Sequence, residues 1–170
     1  MSSGIYFGSW TDWGSRKSLT DKNKSGVYLI SRIEEELLDG PANPFDTRVV
    51  YIGETTNGTF EKRWTAFQRA VMTDKGRHPG GKRYKKIYGK DLSFLYVSHI
   101  PIELIMKAFL QLEKYSLLDI SGHDVKLDLD IELLARLLGE IDNLLIKYME
   151  RRLILLYVLH NGHKPICNAE

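Results

Sequence analysis

Three stretches of the chain carry the short apolar runs that are typical of β-strands. They are residues 25–33, 48–53 and 93–100. Residues 39–44 are rich in Gly, Pro and Asn and predict a turn between the first two strands. We therefore expect a small three-stranded sheet. Residues 1–24 have no sustained period and predict either an edge strand at residues 5–7 or a loop over the sheet.

A helix is predicted between residues 57 and 74, because apolar side chains recur there at intervals of three and four residues. These side chains are Phe60, Trp64, Phe67, Ala70 and Val71. Arg63 and Arg69 lie off this apolar face. Residues 76–81 form a Gly-rich break, and residues 82–88 predict a second, short and basic helix.

From Ile102 onward the pattern is helical. A first apolar stripe runs to Tyr115, and Asp130 is the predicted cap of a longer helix that ends at residues 160–162. Because Pro165 follows the helix end, we expect the C-terminal segment to be extended and ordered.

The chain has the length of one domain, with 170 residues of which 43% are hydrophobic. We expect a single domain whose core spans about 25–100 and 148–170, with a helical insertion at about 102–147. The Leu-rich stripe from Leu133 to Tyr157 is most simply core, and a homodimer face is the alternative.

The expected compartment is the cytoplasm, and no contact with a membrane is expected. Cys167 is the only cysteine and cannot form an intramolecular disulfide, and the chain does not open with an apolar signal segment. The most apolar run, residues 153–159, is far shorter than the roughly 20 residues of a membrane span.

The charge is distributed unevenly, although the net charge is only +2. Residues 60–90 contain ten Lys or Arg but only Glu61 and Asp74, and the balance becomes acidic after Glu103. Such a basic region indicates a polyanionic partner. Tyr84 could stack on a base. The candidate nucleic-acid-binding residues are Arg69, Arg77, Lys82, Arg83, Lys85 and Lys86.

Phosphodiester hydrolysis needs a positioned water, a base, a cation on the phosphate and usually a metal ion. The side chains that could supply these parts are Tyr28, Tyr51, Arg63, His78, Lys82, Glu150 and Asn168. The other histidines have no spacing typical of a zinc site, and we interpret them as structural or solvated. They are His99, His123, His160 and His163.

Five elements occur in a characteristic order along the chain. They are Gly26-Val-Tyr28, Tyr51-Ile-Gly53, Arg63 in the following helix, Glu150 on a later helix and Asn168 after Pro165. In this order they resemble the signature of the GIY-YIG nuclease family. Gly4-Ile-Tyr6 matches the family name literally, but Phe7-Gly-Ser-Trp10 follows it rather than a strand, so we assign the first signature to Gly26-Val-Tyr28.

The resemblance implies an α/β (α+β) fold, with a small three-stranded antiparallel sheet flanked by helices and a large helical insertion before the C-terminal glutamate helix. It also implies one divalent cation, Mg²⁺ or Mn²⁺, with Glu150 as its ligand. Arg63 would bind the scissile phosphate, Tyr28 would be the general base, and Tyr51 would orient the water or a phosphate oxygen.

Two further roles follow from the resemblance. A tyrosine with a pKa of about 10 is a poor base at neutral pH and needs cationic neighbours. His78, Lys82 and Lys85 are the candidate helpers. Asn168 would hold the C-terminal segment or a tyrosine in place by hydrogen bonds.

The chain departs from the family pattern in two places. Phe67 lies four residues after Arg63, where some relatives carry a histidine or tyrosine, so His78 becomes the candidate for that role. Roughly fifty residues separate the third strand from Glu150, whereas compact relatives enter the glutamate helix almost directly. Glu113 is therefore a rival metal ligand.

The expected function is metal-dependent endonucleolytic hydrolysis of DNA, most simply double-stranded DNA. The alternatives are a non-catalytic nucleic-acid-binding module of the same fold and a nuclease that acts on RNA or single strands. A restriction, mobile-element or repair role is compatible with the sequence. A double-strand cutter would need two active sites, which a homodimer would supply.

Overall fold

The computed structural model describes residues 6–35, 39–106 and 131–168, and for residues 131–137 it describes the backbone only. Strands β1 to β4 span Thr11–Asp12, Gly26–Arg32, Val49–Thr55 and Leu95–Pro101, and helices α1 to α3 span Phe60–Met72, Pro79–Tyr88 and Ile131–Asn161. Residues 102–106 are also helical.

The strands form one antiparallel sheet in the order β1-β4-β2-β3. The predicted mixed α/β class is confirmed, but the predicted number of three strands is wrong. The fourth strand, Thr11–Asp12, pairs with Val97 and Tyr96 at one edge, and two residues are too short to produce a visible apolar period. The edge strand is therefore not at residues 5–7, since Tyr6 and Phe7 lie outside any strand.

β2 is the central strand because its middle residues are apolar or aromatic without interruption. Val27, Tyr28, Leu29 and Ile30 are all fully buried. Successive side chains of a strand point to opposite faces of the sheet, so this one strand supplies two cores. Val27 and Leu29 point to one face, and Tyr28 and Ile30 point to the other.

Each face of the sheet is covered by different helices. On the face that we call the α3 face, Ile146, Leu153 and Tyr157 of α3 pack with the strand residues. On the opposite face, the α1–α2 face, Trp64 and Phe67 of α1 and Tyr84 of α2 pack with them. The two tyrosines of the signature belong to the α1–α2 face.

α2 begins at Pro79, three residues before the predicted start. The predicted Gly-rich break ends earlier than expected because Pro79 occupies the first turn and the His78 side chain caps the helix, accepting a hydrogen bond from the N–H of Gly81. Gly80 and Gly81 are thus helical and buried. The start of α1 is capped similarly by Thr59, whose side chain accepts from the N–H of Lys62.

The C-terminal segment is ordered against the sheet, as predicted, but residues 166–167 form a turn and are not extended, because the N–H of Asn168 donates to the carbonyl of Pro165 at 2.9 Å. The N–H of Cys167 donates to the carbonyl of Val50 at 2.8 Å, and Pro165, Cys167 and Asn168 are buried. The predictions for Glu113, Tyr115 and Asp130 fall on residues outside those that the structure describes.

The Leu-rich stripe of α3 is only partly core. Leu145, Leu153 and Tyr157 are buried, whereas Leu144 and Leu155 are exposed. The homodimer face stays a prediction. Within the described part of the chain, none of the helices combines the length and the apolar character that crossing a membrane requires.

Candidate active site

The two signature tyrosines lie side by side on neighbouring strands, Tyr28 on β2 and Tyr51 on β3. Their ring centroids are 6.0 Å apart. Gly53 lies opposite Tyr28 in the register of the two strands, and a Cβ there would come within 2.7 Å of the Tyr28 ring and would also clash with Tyr51. Gly53 is thus required at this point of β3 because both tyrosine rings lie against it.

Tyr51 is also packed from above by α2. A Cβ at Gly80 would come within 2.5 Å of the Tyr51 ring, so the glycine allows the start of α2 to approach the tyrosine closely. Burial raises the pKa of Tyr51 to about 12, although the charge of Arg63 opposes this shift. Tyr51 is therefore a protonated hydroxyl at neutral pH.

His78 is brought to Tyr28 by the start of α2. Its Nε2 lies 3.3 Å from the Oη of Tyr28, and its Nδ1 accepts the N–H of Gly81 at 3.3 Å. Burial, together with the nearby charge of Arg63, lowers the pKa of His78 to about 4, so the ring is neutral at pH 7. Since Nδ1 is an acceptor, we assign the single ring proton to Nε2, which then donates to Tyr28.

Arg63 is half-buried on α1 beside both tyrosines. Its Nε donates to the backbone carbonyl of Glu54 at 3.1 Å. Burial raises the pKa of Tyr28 well above its usual value, and the guanidinium of Arg63 opposes this shift. Arg63 is the cation that the resemblance assigns to the scissile phosphate, and the structure places it next to the tyrosine assigned as base.

Phe67 packs against Tyr51 and His78, and it occupies the position where some relatives carry a histidine or tyrosine. Its ring packs against Tyr51 at 6.2 Å and against His78 at 5.4 Å between centroids. His78 was predicted to take the role of that histidine or tyrosine. The geometry is compatible with this, because Phe67 packs against the imidazole that contacts Tyr28.

Glu150 approaches from α3 and is half-buried. Burial raises the pKa of its carboxyl, and the charge of Glu54 raises it further, while Arg151 and Arg63 lower it. The charge of Glu150 also acts on Tyr28 and Tyr51. The predicted metal ligand is therefore in electrostatic contact with the predicted base and phosphate clamp.

Glu54 is a residue that the sequence analysis missed. It directly follows Gly53 in β3 and pairs with Val27, so its side chain belongs to the α3 face. Its Oε2 is buried and has no hydrogen-bond partner. The strand register, which carries this signal, is not visible in one sequence.

Asn168 holds the C-terminal segment against β3, as predicted for one of its two possible roles. Its Oδ1 accepts the N–H of Ile52 at 2.9 Å, and its Nδ2 donates to the carbonyl of Ile52 at 2.7 Å. Both backbone groups of Ile52 are thus satisfied by one side chain.

A basic groove borders Arg63 and His78. Its volume is about 630 Å³, and it lies between α1 and the loop before α2. None of the described residues that line it is acidic. The cations that line it are Lys62, Arg63, Arg69, Lys75 and Arg77. Arg69 and Arg77 were predicted to bind nucleic acid, whereas Lys62 and Lys75 were missed.

The other predicted nucleic-acid contacts lie on α2 and do not line the groove. Lys85 pairs with Asp74 at 2.5 Å, and Arg83 donates to the carbonyl of Asn168 at 3.2 Å. Lys82 and Lys86 are exposed. Nucleic-acid binding by these four residues stays a prediction.

Tyr84 was expected to stack on a base, and this expectation is wrong. The ring is fully buried, and its hydroxyl accepts from Arg32 at 2.7 Å and donates to the carbonyl of Asp91 at 2.8 Å. Its place in α2 turns it toward the sheet, so it is a core residue.

Among the remaining histidines, His99 packs against Phe60 at 4.8 Å and Trp64 at 5.7 Å between ring centroids, and it is structural as predicted. His160 and His163 are exposed. His123 lies outside the described residues. Within the described ranges, no group of three or more His, Cys, Asp or Glu could hold a metal ion.

The chain matches no family model, no curated protein and no solved structure. The resemblance to the GIY-YIG nucleases therefore rests on the residues themselves, and the activity that it implies is a proposal.

Proposed function

We propose that the chain is a metal-dependent endonuclease of the GIY-YIG type that hydrolyses phosphodiester bonds of double-stranded DNA. The observation that carries the proposal is the convergence of residues chosen from the sequence alone. Tyr28, Tyr51, Arg63 and His78 come from four different places in the chain and pack together, and Glu150 acts on both tyrosines electrostatically.

Arg63 is the residue that binds the scissile phosphate in this proposal. A guanidinium is planar, stays protonated and can offer two N–H donors to one phosphate. Its Nε is already engaged by the carbonyl of Glu54, which fixes the orientation of the group. Its terminal nitrogens then stabilise the charge that develops on the phosphate oxygens.

Tyr28 is the proposed general base, and it needs help because burial raises its pKa. Arg63 supplies a positive charge that favours the phenolate. His78 supplies the Nε2–H donor, and a hydrogen bond to the charged form also favours that form. His78 is therefore a positioning residue that stabilises the Tyr28 phenolate, and it does not take the proton itself. Once Tyr28 has lost its own proton to the solvent, the phenolate accepts the proton of the attacking water.

Glu150 is the proposed ligand of a divalent cation. The residues present fit a hard cation, because carboxylate oxygens are its preferred ligands. A bound cation would also offset the repulsion between the charges of Glu54 and Glu150. When bound, Mg²⁺ or Mn²⁺ would stabilise the negative charge on the leaving oxygen. The chain supplies the carboxylates, the orientation of the phosphate and the proton acceptor.

The basic groove is the proposed path of the DNA backbone next to the reacting phosphate. It is continuous with Arg63 and His78, so a strand whose scissile phosphate lies at Arg63 would place neighbouring phosphates against Arg69, Lys75 and Arg77. Lysine and arginine contacts to phosphates supply most of the sequence-independent affinity for DNA.

A second candidate is a nucleic-acid-binding module of the same fold without cleavage activity. The raised pKa values of both tyrosines favour it, because protonated phenols cannot accept a proton. A nuclease for RNA or single strands is a third candidate that the basic groove serves equally well. We also expect the protein to act in the cytoplasm, since its only cysteine, Cys167, is free and buried.

The experiment is a substrate panel with purified protein. Plasmid, single-stranded DNA and RNA are incubated with Mg²⁺, Mn²⁺ or EDTA, using the wild type, Glu150→Gln and the control Glu140→Gln, which changes an exposed carboxylate on the same helix. We expect metal-dependent cleavage of the plasmid by the wild type and the control, and binding without cleavage by Glu150→Gln. Binding without cleavage by the wild type in all conditions would contradict the nuclease and support the binding module.

A further inference from the structure

Glu54 lies on the same side of the sheet as α3. It stands opposite Val27 in the register of β2 and β3, and Val27 belongs to the cluster that packs against Ile146 and Leu153. Glu150 lies four residues after Ile146 and three residues before Leu153, and on a helix these spacings place it on the same face as both. The two carboxylates are therefore brought together by the packing of α3 on the end of β3.

The side chain of Glu54 has an oxygen that nothing in the described structure satisfies. Its Oε2 is buried without a hydrogen-bond partner. Arg63 lies nearby, but its Nε donates to the backbone carbonyl of Glu54. A buried carboxylate oxygen without a partner is costly, because water no longer solvates it.

A second cost comes from Glu150. Two carboxylates that share a site repel each other when both are charged, and the register of β3 and the packing of α3 bring Glu54 and Glu150 to the same side of the sheet. A divalent cation between the two would remove both costs at once, since it accepts an oxygen from each.

We propose that Glu54 is a second protein ligand of the divalent cation and binds it together with Glu150. The inference rests on the proposed nuclease function. Mg²⁺ is commonly held by one or two carboxylates, with water and substrate phosphate oxygens completing six ligands. Glu54 and Glu150 supply the two carboxylates, and a phosphate oxygen held by Arg63 would complete the link between metal and substrate.

The chemistry of the donors selects the class of metal. Two carboxylates without a cysteine or histidine favour Mg²⁺ or Mn²⁺ over Zn²⁺, and His78 is unavailable because its two nitrogens are engaged by Gly81 and Tyr28. Binding by two carboxylates also explains how a glutamate at the end of β3 is tolerated next to Glu150 despite the repulsion.

The test is a calorimetric titration of the full chain with Mn²⁺, in the absence of DNA. The proteins compared are the wild type, Glu54→Gln, Glu150→Gln and the control Glu140→Gln. We expect Glu54→Gln and Glu150→Gln each to raise the Kd for Mn²⁺ at least about tenfold, and the control to leave it unchanged. Circular dichroism verifies the fold of each protein. If Glu54→Gln does not fold, Glu54→Asp replaces it and is expected to raise the Kd in the same direction.

The outcomes separate this inference from the proposed function. If Mn²⁺ binds the wild type and Glu150→Gln weakens binding while the Glu54 variant binds like the wild type, Glu54 is not a ligand and the nuclease proposal stands. If the Glu54 variant weakens binding but the wild type cleaves no substrate, the metal site stands and the nuclease fails. If the wild type binds no Mn²⁺, both are overturned.

Discussion

The Oη of Tyr28 lies 3.3 Å from the Nε2 of His78, while the Nδ1 of the same imidazole caps α2 at Gly81. One side chain therefore joins the start of a helix to the central strand of the sheet. The cap leaves the ring proton on Nε2, so the contact with Tyr28 has a direction, in which His78 donates and Tyr28 accepts.

This direction predicts the effect of His78→Asn. Asparagine is a favoured helix cap and can still accept the N–H of Gly81, but its shorter side chain does not reach Tyr28. We expect the fold to be kept and the cleavage rate to fall by roughly ten- to a hundredfold. Because the Tyr28 phenolate loses a hydrogen-bond donor, the increase of the cleavage rate with pH should move to higher pH. Rates measured between pH 6 and 9 check this, with His160→Asn as an exposed control. An unchanged profile would argue against the contact.

The buried, neutral His78 also predicts a pH dependence of stability. Its pKa is about 4 in the folded state and about 6.5 in the unfolded chain. The unfolded state therefore binds a proton first as the pH falls, and the folded state loses stability between pH 6.5 and 4. The loss amounts to at most about 3.5 kcal/mol, because a pKa that differs by one between the two states changes the unfolding free energy by about 1.4 kcal/mol.

Other groups titrate in the same pH range, so the quantity to measure is the difference in unfolding free energy between the wild type and His78→Asn. The pKa of His99 is lowered by burial and that of Glu150 is raised by burial. Urea unfolding of the wild type and His78→Asn at pH 7 and pH 4.5 removes these shared contributions. We expect the stability advantage of the wild type to shrink at pH 4.5, and an advantage that grows there would contradict the neutral imidazole.

We expect Asn168 to stabilise the folded state. Asn168→Ala leaves the buried N–H and carbonyl of Ile52 without partners, which we expect to cost about 3 kcal/mol of unfolding free energy. The matched control is Asn161→Ala, which removes one hydrogen bond, at 3.1 Å, to the carbonyl of Phe45 and should cost about 1 kcal/mol. Urea midpoints at an unchanged m-value measure both. Equal costs would mean that the C-terminal segment is not held through Ile52.

The basic groove predicts which charges bind DNA. Arg69→Glu and Arg77→Glu reverse charges that line the groove, whereas Lys86→Glu makes the same change on the exposed part of α2. We expect each groove variant to weaken binding and to reduce the salt dependence by about one counterion or more. Affinities at several salt concentrations measure this. A stronger effect of Lys86→Glu would move the DNA path to α2.

Strands β2 to β4 were predictable from short apolar runs such as Val27 to Ile30, and α1 was predictable from apolar residues that recur at intervals of three and four. Tyr28 and Tyr51 were chosen for their order along the chain and lie side by side in the structure, while their catalytic roles stay a prediction. Glu54 was not predictable, since its side of the sheet depends on the pairing with Val27. Lys62 and Lys75 were missed for a similar reason, because the groove is formed only when the loop before α2 packs against α1.

Two predictions were wrong because of local structure that the apolar pattern does not show. Thr11–Asp12 is too short a strand to be seen in the apolar pattern. Tyr84 was grouped with its basic neighbours, but the helix starts at Pro79 and its buried face then includes Tyr84. The sequence pattern alone therefore does not show a strand of two residues, or which residues of a short helix face the core.

The central claim is that Arg63 binds the scissile phosphate of a nuclease, and Arg63→Ala tests it most directly. Single-turnover cleavage of plasmid in Mg²⁺ is measured together with DNA binding in Ca²⁺, for the wild type, Arg63→Ala and the groove variant Arg69→Ala. We expect Arg63→Ala to cleave at least about a hundredfold more slowly than the wild type and to bind DNA about as well as Arg69→Ala. Cleavage by Arg63→Ala at the rate of Arg69→Ala would contradict it.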